Sequence, residues 1–589
     1  MKKIQIILSL LFITIAYVSC DPNDDNSTSD DNFLENFGNS ASRSFIGQIV
    51  DTDNHPLQGV TVKIGSSTTQ TDINGVFIIN GANVYERFAY ITATKVGYID
   101  GSRSMVPTSG KNNVKIMLLP NTPVQTVQSG VGSEVALPSG TKVVFDGAFE
   151  DANGNDYSGA VQVALFHLLP SDENISKLMP GMLYAQTETN QQAALETYGM
   201  INVELRGSGG QKLNIKKGHT AEITLQIDDS QIATAPSTIP LWHFDEERGY
   251  WKEDGVATKL GTKYVGEVSH FSWWNCDIPN SSILLTFNFV DANGNPLSNL
   301  YINILNPSGF HASGSTDSNG QLSGILPANQ VLIVNVYSSF YSCGGNNILF
   351  STTVGPFTTD TVLPNIIINE SGDVMNSNVV GTLLKCDNTP VTNGYVYLSR
   401  NGNGAVAAIT NGVFSFNEIY CASNTDFTLK GFDIENLQQT DSIAYNFTAP
   451  ITNIGNLQAC TAVDEFISYQ IDNNPTVFLI QQVSGGASGT GTPNTNGFYL
   501  NAYNNDQSGL YIGGTTNVPG IYTTAQFSLE GGSFGYISST TTNTIQFNLN
   551  QVGAIGQYID MTFSGTYFDP EFGGITRTIT GVAHVIRDN

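Results

Sequence analysis

From Phe45 to the C-terminus, apolar and polar residues alternate at period two in short runs, separated by clusters of Gly, Asn, Asp, Ser and Pro. Successive side chains of a strand point to opposite faces, so this period marks half-buried strands. The intervening residues are those that supply tight turns. Patterns of helical period are nearly absent. At 589 residues the chain is too long for one core and divides into several domains. The pattern therefore predicts an all-β protein of tandem β-sandwich modules in an elongated chain.

One order of strands and turns occurs three times. FIGQIVDTDNHPLQGVTVKIG, from Phe45, is followed by TQTDINGVFII: a strand, a turn ending in Pro56 and Leu57, a second strand, and the turn Thr71, Asp72, Asn74, Gly75 before a third. LTFNFVDANGNPLSNLYINIL, from Leu284, is followed by STDSNGQLSGIL, and VVGTLLKCDNTPVTNGYVYLS by AITNGVFSF. Asp51 and Pro56, Asp291 and Pro296, and Lys385 and Pro390 keep one spacing. The proline stops pairing at the strand's end, and the Asn-Gly or Asp-x-x-Gly turns supply positive φ. DANGN at 291 and DANGND at 151 alternate oxygen side chains as calcium loops do. They carry no Glu at the twelfth loop position and read as hairpin turns.

This grammar resembles the carboxypeptidase regulatory-like domain, a prealbumin-like β-sandwich, over residues 44–120, 282–370 and 377–461. The resemblance implies accessory or structural modules with no chemistry of their own. Residues 121–277 read as a different antiparallel sandwich. Their opening strands, VALPSGTKVVFDGAFEDANGNDYSGAVQVALFHL, and their closing EVSHFS resemble a ZU5-like module, and WHFDEERGYWKEDG is similar to a segment of cartilage intermediate layer proteins. The stretch 170–200 departs from that pattern. Residues 462–589 are expected to form a further β-sandwich.

The N-terminus sets the compartment. MKKIQIILSLLFITIAYVSC has Lys2 and Lys3, an apolar run to Val18 and a small Ser19 before Cys20, the layout of a secretory signal. It resembles a bacterial lipoprotein signal, with residues 1–19 removed and Cys20 lipidated, although Tyr17 stands where Leu is usual. Residues 20–43 begin CDPNDDNSTSDDN, too polar and acidic to fold, and read as a flexible tether. Asp21, Asp24 and Asp25 resemble the acidic export signal of Bacteroidota surface lipoproteins. This implies a lipid-anchored protein of the outer membrane that faces the cell exterior, with membrane lipid as a partner through acylated Cys20.

Charge narrows the partners. Lys plus Arg number 24 against 51 Asp plus Glu, a net −27, without a basic block, so nucleic acid is excluded as a partner. A surface protein or a glycan remains as the expected ligand, and no cofactor or metal is expected.

Three candidate chemistries remain. His243 and Glu246 match the H-x-x-E of zinc carboxypeptidases by spacing but flank a charged turn, and short motifs of this kind mislead. His270, Phe271 and Ser272 spell the tripeptide at which self-cleaving relatives of ZU5-like modules cut their own backbone. There the Ser hydroxyl attacks the preceding carbonyl while the His takes its proton. With neither Gly nor Pro between Glu267 and Asp277, the segment reads as one regular strand. Val268, His270, Ser272, Trp274 and Cys276 would then share a face, with alternate Cα atoms about 6.6 Å apart, which favours core over a scissile bond. Finally, Tyr499, Asn501 and Tyr503 alternate outward from Phe498, Leu500 and Ala502, a face that glycans could stack on. Of Cys276, Cys343, Cys386, Cys421 and Cys460, an odd number, the disulfide candidates are Cys386, Cys421 and Cys460 in the third repeat.

These features predict a non-catalytic surface protein for binding, adhesion or envelope organisation. The alternatives are a self-processing protein cut at Phe271–Ser272, and a glycan-binding component of a polysaccharide-uptake system.

Overall fold

The computed structural model describes residues 33–588, apart from residues 73, 307–309, 338–347, 369–373, 401–402, 434, 437, 463–464, 473–476, 480–482, 489–496, 504–508, 532–533 and 570–573. The expected signal segment, Cys20, Cys343 and most of the tether lie outside the described residues. Nearly every element is a strand, and the protein is all-β, built of tandem β-sandwich modules.

The three repeats share one topology. In the first, strand Ser40–Val50 lies between Val76–Tyr85, antiparallel, and Lys111–Met117, parallel. In the second, Ser282–Val290 pairs antiparallel with Gln321–Pro327 and parallel with Thr361–Val362 and Ile366–Ile367. In the third, Val374–Lys385 pairs antiparallel with Val413–Cys421 and parallel with Ile451–Ala459. A second sheet closes each sandwich.

The repeated turn has a physical cause. Asp51 Oδ1 accepts the N–H groups of Asp53 and His55 at 2.9 and 2.8 Å, and Asp291 does the same for Asn293 and Asn295, both at 2.8 Å. Where Lys385 replaces the aspartate, Asp387 takes over by accepting the Thr389 N–H at 2.9 Å. Asn54, Gly294 and Asn388 occupy the same turn position and all have positive φ, the left-handed conformation that Asn and Gly tolerate. Beyond the turn, Pro56, Pro296 and Pro390 bridge back to Val50, Val290 and Leu384.

The middle domain is a 13-stranded sheet running from Gln125 to Asn280, in which Ile175–Leu178 is a single helical turn. One face closes over Val143, Ile201, Leu241, Phe271, Trp274 and Cys276. The other buries Trp242, Trp251 and Trp273, and here the first repeat supplies Val50, Ile99, Met117 and Leu119 to the same core. The C-terminal domain is a sandwich of a six-stranded and a five-stranded sheet around Phe498, Leu500, Phe527, Phe547 and Phe563.

The four N-terminal modules are not the separate beads that the sequence suggests. The end of the expected tether is ordered, which corrects the reading of residues 20–43 as flexible throughout: the apolar rings of Phe33 and Phe37 are buried with Phe88 of the first repeat and with Tyr184 and Tyr250 of the middle domain. Asp317 of the second repeat, 1 % exposed, accepts the Thr108 hydroxyl at 2.8 Å and the Gly110 N–H at 2.9 Å. Ile46 and Val76 pack on Tyr395 and Phe432 of the third repeat, and the Tyr395 hydroxyl donates to Asp72 while accepting from Asn74 Nδ2 at 2.8 Å. Alternation within one strand reports which face is buried but not which neighbour covers an outer face, so these contacts lie beyond a sequence reading.

The Asp72 contact makes stability depend on pH. Burial at this interface pushes the Asp72 carboxyl from 3.8 up to about 6, against the opposing pull of its hydrogen bonds from Tyr395, Val76 and Asn74. The folded state thus holds a proton that the unfolded chain releases near pH 4. Its stabilising effect is full below that pH and is lost as pH rises through about 6. A shift of this size corresponds to about 3 kcal/mol at most. The Asp72→Asn variant should therefore gain stability relative to the parent between about pH 4 and pH 7, read as the difference of the two thermal midpoints. A difference constant across that range would show that Asp72 ionises freely in the fold.

Candidate functional site

The His270–Ser272 tripeptide does not lie in a regular strand, which corrects the sequence expectation. Strand Lys263–Val268 ends before it and strand Trp273–Asn280 begins after it. The two are not neighbours: the hairpin strands Thr238–Asp245 and Tyr250–Leu260 lie between them in the sheet. Residues 269–272 are the crossover that carries the chain past this hairpin. No Gly or Pro makes the bend. Asn214 holds it instead, accepting the Phe271 N–H at 2.7 Å and donating to the Phe271 carbonyl at 3.3 Å, while Phe271 packs its ring 5.6 Å from that of Phe145. Trp274 Nε1 donates to the His270 carbonyl at 2.9 Å. Val268, His270, Ser272, Trp274 and Cys276 therefore do not share a strand face; Val268, Phe271, Trp274 and Cys276 enter one core while Trp273 enters the other.

Two parts of the self-cleaving chemistry are present. The carbonyl that Ser272 would attack is polarised by Asn214, and burial, with the nearby His243, pushes His270 down to about 4, so its imidazole is neutral at neutral pH. The third part is missing. The Ser272 hydroxyl donates to the Trp273 carbonyl at 3.1 Å, and no hydrogen bond joins it to His270 among the described residues. A base must reach the proton it removes.

The pair His243 and Glu246 is not brought together as a metal site. Glu246 lies in the turn beyond strand Thr238–Asp245, where its carboxylate meets Lys212 at 3.2 Å and its carbonyl accepts the Tyr90 hydroxyl at 2.8 Å. The crossover sets His270 against His243 instead, with ring centroids 4.7 Å apart at 81°, and Asp254 Oδ2 lies 3.6 Å from His243 Nδ1.

A cavity of about 580 Å³ opens where the first, second and third repeats meet the middle domain. Arg103 and Lys115 of the first repeat, Lys177 of the single helical turn, and His311, Tyr301 and Tyr337 of the second repeat line it; among the described residues Glu173 is the one acidic residue in its lining. Burial lowers Arg103 to about 10 and, with Lys177 nearby, Lys115 to about 8. Burial and the Arg103 charge also lower His311. Arg103 Nη1 donates to the Gly181 carbonyl at 3.3 Å and Lys177 Nζ to Asn174 Oδ1 at 3.0 Å; no ion pair engages these three cations among the described residues. The cations are scattered in sequence and unmarked by any motif, so sequence reasoning missed them, as it missed Asn214 and Asp254.

Cys386 and Cys460 are bonded, closing a separation of 74 residues, a link of the kind that stabilises a module by about 2–4 kcal/mol. Cys421 is disulfide-bonded as well, and Cys276 is free and buried. On strand Gly497–Tyr503, Phe498, Leu500 and Ala502 are buried, while Tyr499 and Asn501 are partly exposed and Tyr503 is 42 % exposed.

No family model matches the chain. It is 29% identical over 131 residues to human cartilage intermediate layer protein 2, covering 22% of this chain and 11% of that protein. To the mouse protein it is 24% identical over 228 residues, covering 36% and 19%. The chain thus spans less than a fifth of the length of these relatives. Among solved structures, a streptococcal ancillary pilin aligns with 40% of this chain and 98% of its own at 13% identity and a TM-score of 0.14. The major pilin subunit of Bacillus cereus aligns with 71% and 99% at 9% identity and a TM-score of 0.12.

The geometry of the crossover gives a direct test. The Phe271–Ser272 bond should stay intact in the purified protein, and Ser272→Ala should leave a denaturing gel unchanged. Two fragments, with Ser272 at the new N-terminus and both lost in Ser272→Ala, would make His270 and Ser272 catalytic.

Proposed function

We propose that this protein is a non-catalytic, lipid-anchored surface protein of the outer membrane that binds an acidic saccharide in the cavity between its modules. One observation carries the reading: three cations converge on a single cavity in a chain with 24 basic and 51 acidic residues. Its volume falls in the range of small-molecule sites, roughly 300–1,000 Å³. Arg103 offers a planar fork for a carboxylate. Tyr301 and Tyr337, with ring centroids 6.0 Å apart, offer apolar faces to a sugar ring. The sequence supports anchoring through Cys20, since each buried CH₂ of an acyl chain contributes about 0.8 kcal/mol. No helix among the described residues is long and apolar enough to cross a membrane. The repeats, read as regulatory-like modules, serve in this account as walls of the site. The outward face at Tyr499, Asn501 and Tyr503 gives a second, flatter glycan surface.

Two experiments test this. Cys20→Ala should move the protein from the membrane fraction to the soluble one; a variant that stays with the membrane would overturn the anchor. Calorimetric titration with uronic-acid oligosaccharides should show binding that neutral analogues of equal length lack. Lys115→Glu should weaken it by about tenfold or more with an unchanged thermal midpoint. Equal binding of acidic and neutral glycans, or its loss on Tyr503→Ala and not on Lys115→Glu, would move the site to the C-terminal domain.

A further inference from the structure

The geometry points to a divalent transition-metal site formed by His243, Asp254 and His270, which would fasten the crossover 269–272 to the hairpin it passes. The two imidazoles and the carboxylate each offer one ligand atom, and these atoms lie within 4.8 Å of one another. The 3.6 Å between His243 Nδ1 and Asp254 Oδ2 is too long for a hydrogen bond. It matches the edge of a tetrahedron about a zinc ion, roughly 3.3–3.6 Å for bonds of about 2.0–2.2 Å. His243 Nδ1 is shut off from solvent and has no hydrogen-bond partner. Buried polar atoms are nearly always satisfied, and a metal ion would satisfy this one.

Three separate segments deliver the ligands. His243 lies on strand Thr238–Asp245. Asp254 lies on strand Tyr250–Leu260 where the pairing with Thr238–Asp245 slips between Pro240 and Trp242, next to Gly255 with φ +91°. A bulge of this kind re-aims a side chain. His270 arrives from the crossover, and Trp274 packs against both imidazoles, with centroids at 5.6 and 5.2 Å, which restricts their rotation. Asp254 is exposed, so water can complete the coordination. Two imidazoles with one carboxylate suit zinc, copper, nickel or iron rather than calcium or magnesium, which take oxygen ligands. This site is independent of the anion cavity. In a second cluster, Asp51, Asp53 and His55 also bring their ligand atoms within 4.8 Å of one another. It differs because Asp51 Oδ1 is already engaged by two backbone N–H groups.

The test uses the full chain, stripped with chelator and titrated with zinc alone by calorimetry. One zinc per chain should bind and raise the thermal midpoint, and X-ray absorption at the zinc edge should show the multiple-scattering pattern of imidazole ligands. Asp254→Asn, an exposed and structurally mild change, should weaken binding by more than about tenfold, as should His243→Ala, while Asp51→Asn should leave it unchanged. A chain that takes up no zinc, or whose binding falls with Asp51→Asn and not with Asp254→Asn, would overturn the site and leave His243 and Asp254 as an ion pair only. Circular dichroism of each variant separates loss of ligand from loss of fold.

Discussion

The seating of the first repeat on the middle domain is the contact from which the rest of the arrangement follows. Phe37 stacks on Phe88 at 4.1 Å within a cluster closed by Phe33, Tyr184 and Tyr250, and Val50, Ile99, Met117 and Leu119 join the core around Trp242 and Trp251. Each such side chain contributes roughly 1.5–3 kcal/mol when buried, and the seat buries more of them than the smaller cluster of Ile46, Val76, Tyr395 and Phe432 that ties the first repeat to the third. With that face spent, the first repeat meets the second through Thr108 and Asp317 and the third through Asp72 and Tyr395. Sandwich modules are convex. Four of them meeting at one place leave a gap, and the gap is lined by whatever their outer strands carry: Arg103, Lys115 and Tyr301 among others.

What could be read from the sequence was local. The recurrence of Asp51, Asp291 and Lys385 before a proline marked three copies of one turn, and the structure gives the reason: a carboxylate satisfies two backbone N–H groups within the same few residues in the first two copies, and Asp387 satisfies one in the third. The alternation of Phe498, Leu500 and Ala502 with Tyr499, Asn501 and Tyr503 likewise predicted which side chains face in. The crossover at 269–272 was not legible because its bend is imposed by Asn214, which lies 57 residues away. Residue types that break strands are a sufficient signal for a bend but not a necessary one. For the same reason His270 was paired in sequence with Ser272, its near neighbour, while the fold pairs it with His243 and Asp254. The cations of the cavity come from two modules and two kinds of secondary structure, and no spacing could have joined them.

The parallel pairing of first strand with last, present in all three repeats, bears on how the protein answers a pull. Tension applied between the two ends of the chain would load each repeat through its first and last strands. In a parallel pair the entering and leaving ends point in opposite directions along the strands, so the load falls on all the ladder's hydrogen bonds at once, in shear. A hairpin at the same position would open bond by bond. In the third repeat the link between Cys386 and Cys460 spans this same strand pair, so even after the ladder yields, the 74-residue separation it closes cannot pay out. The protein's reach under force is thereby capped at that module.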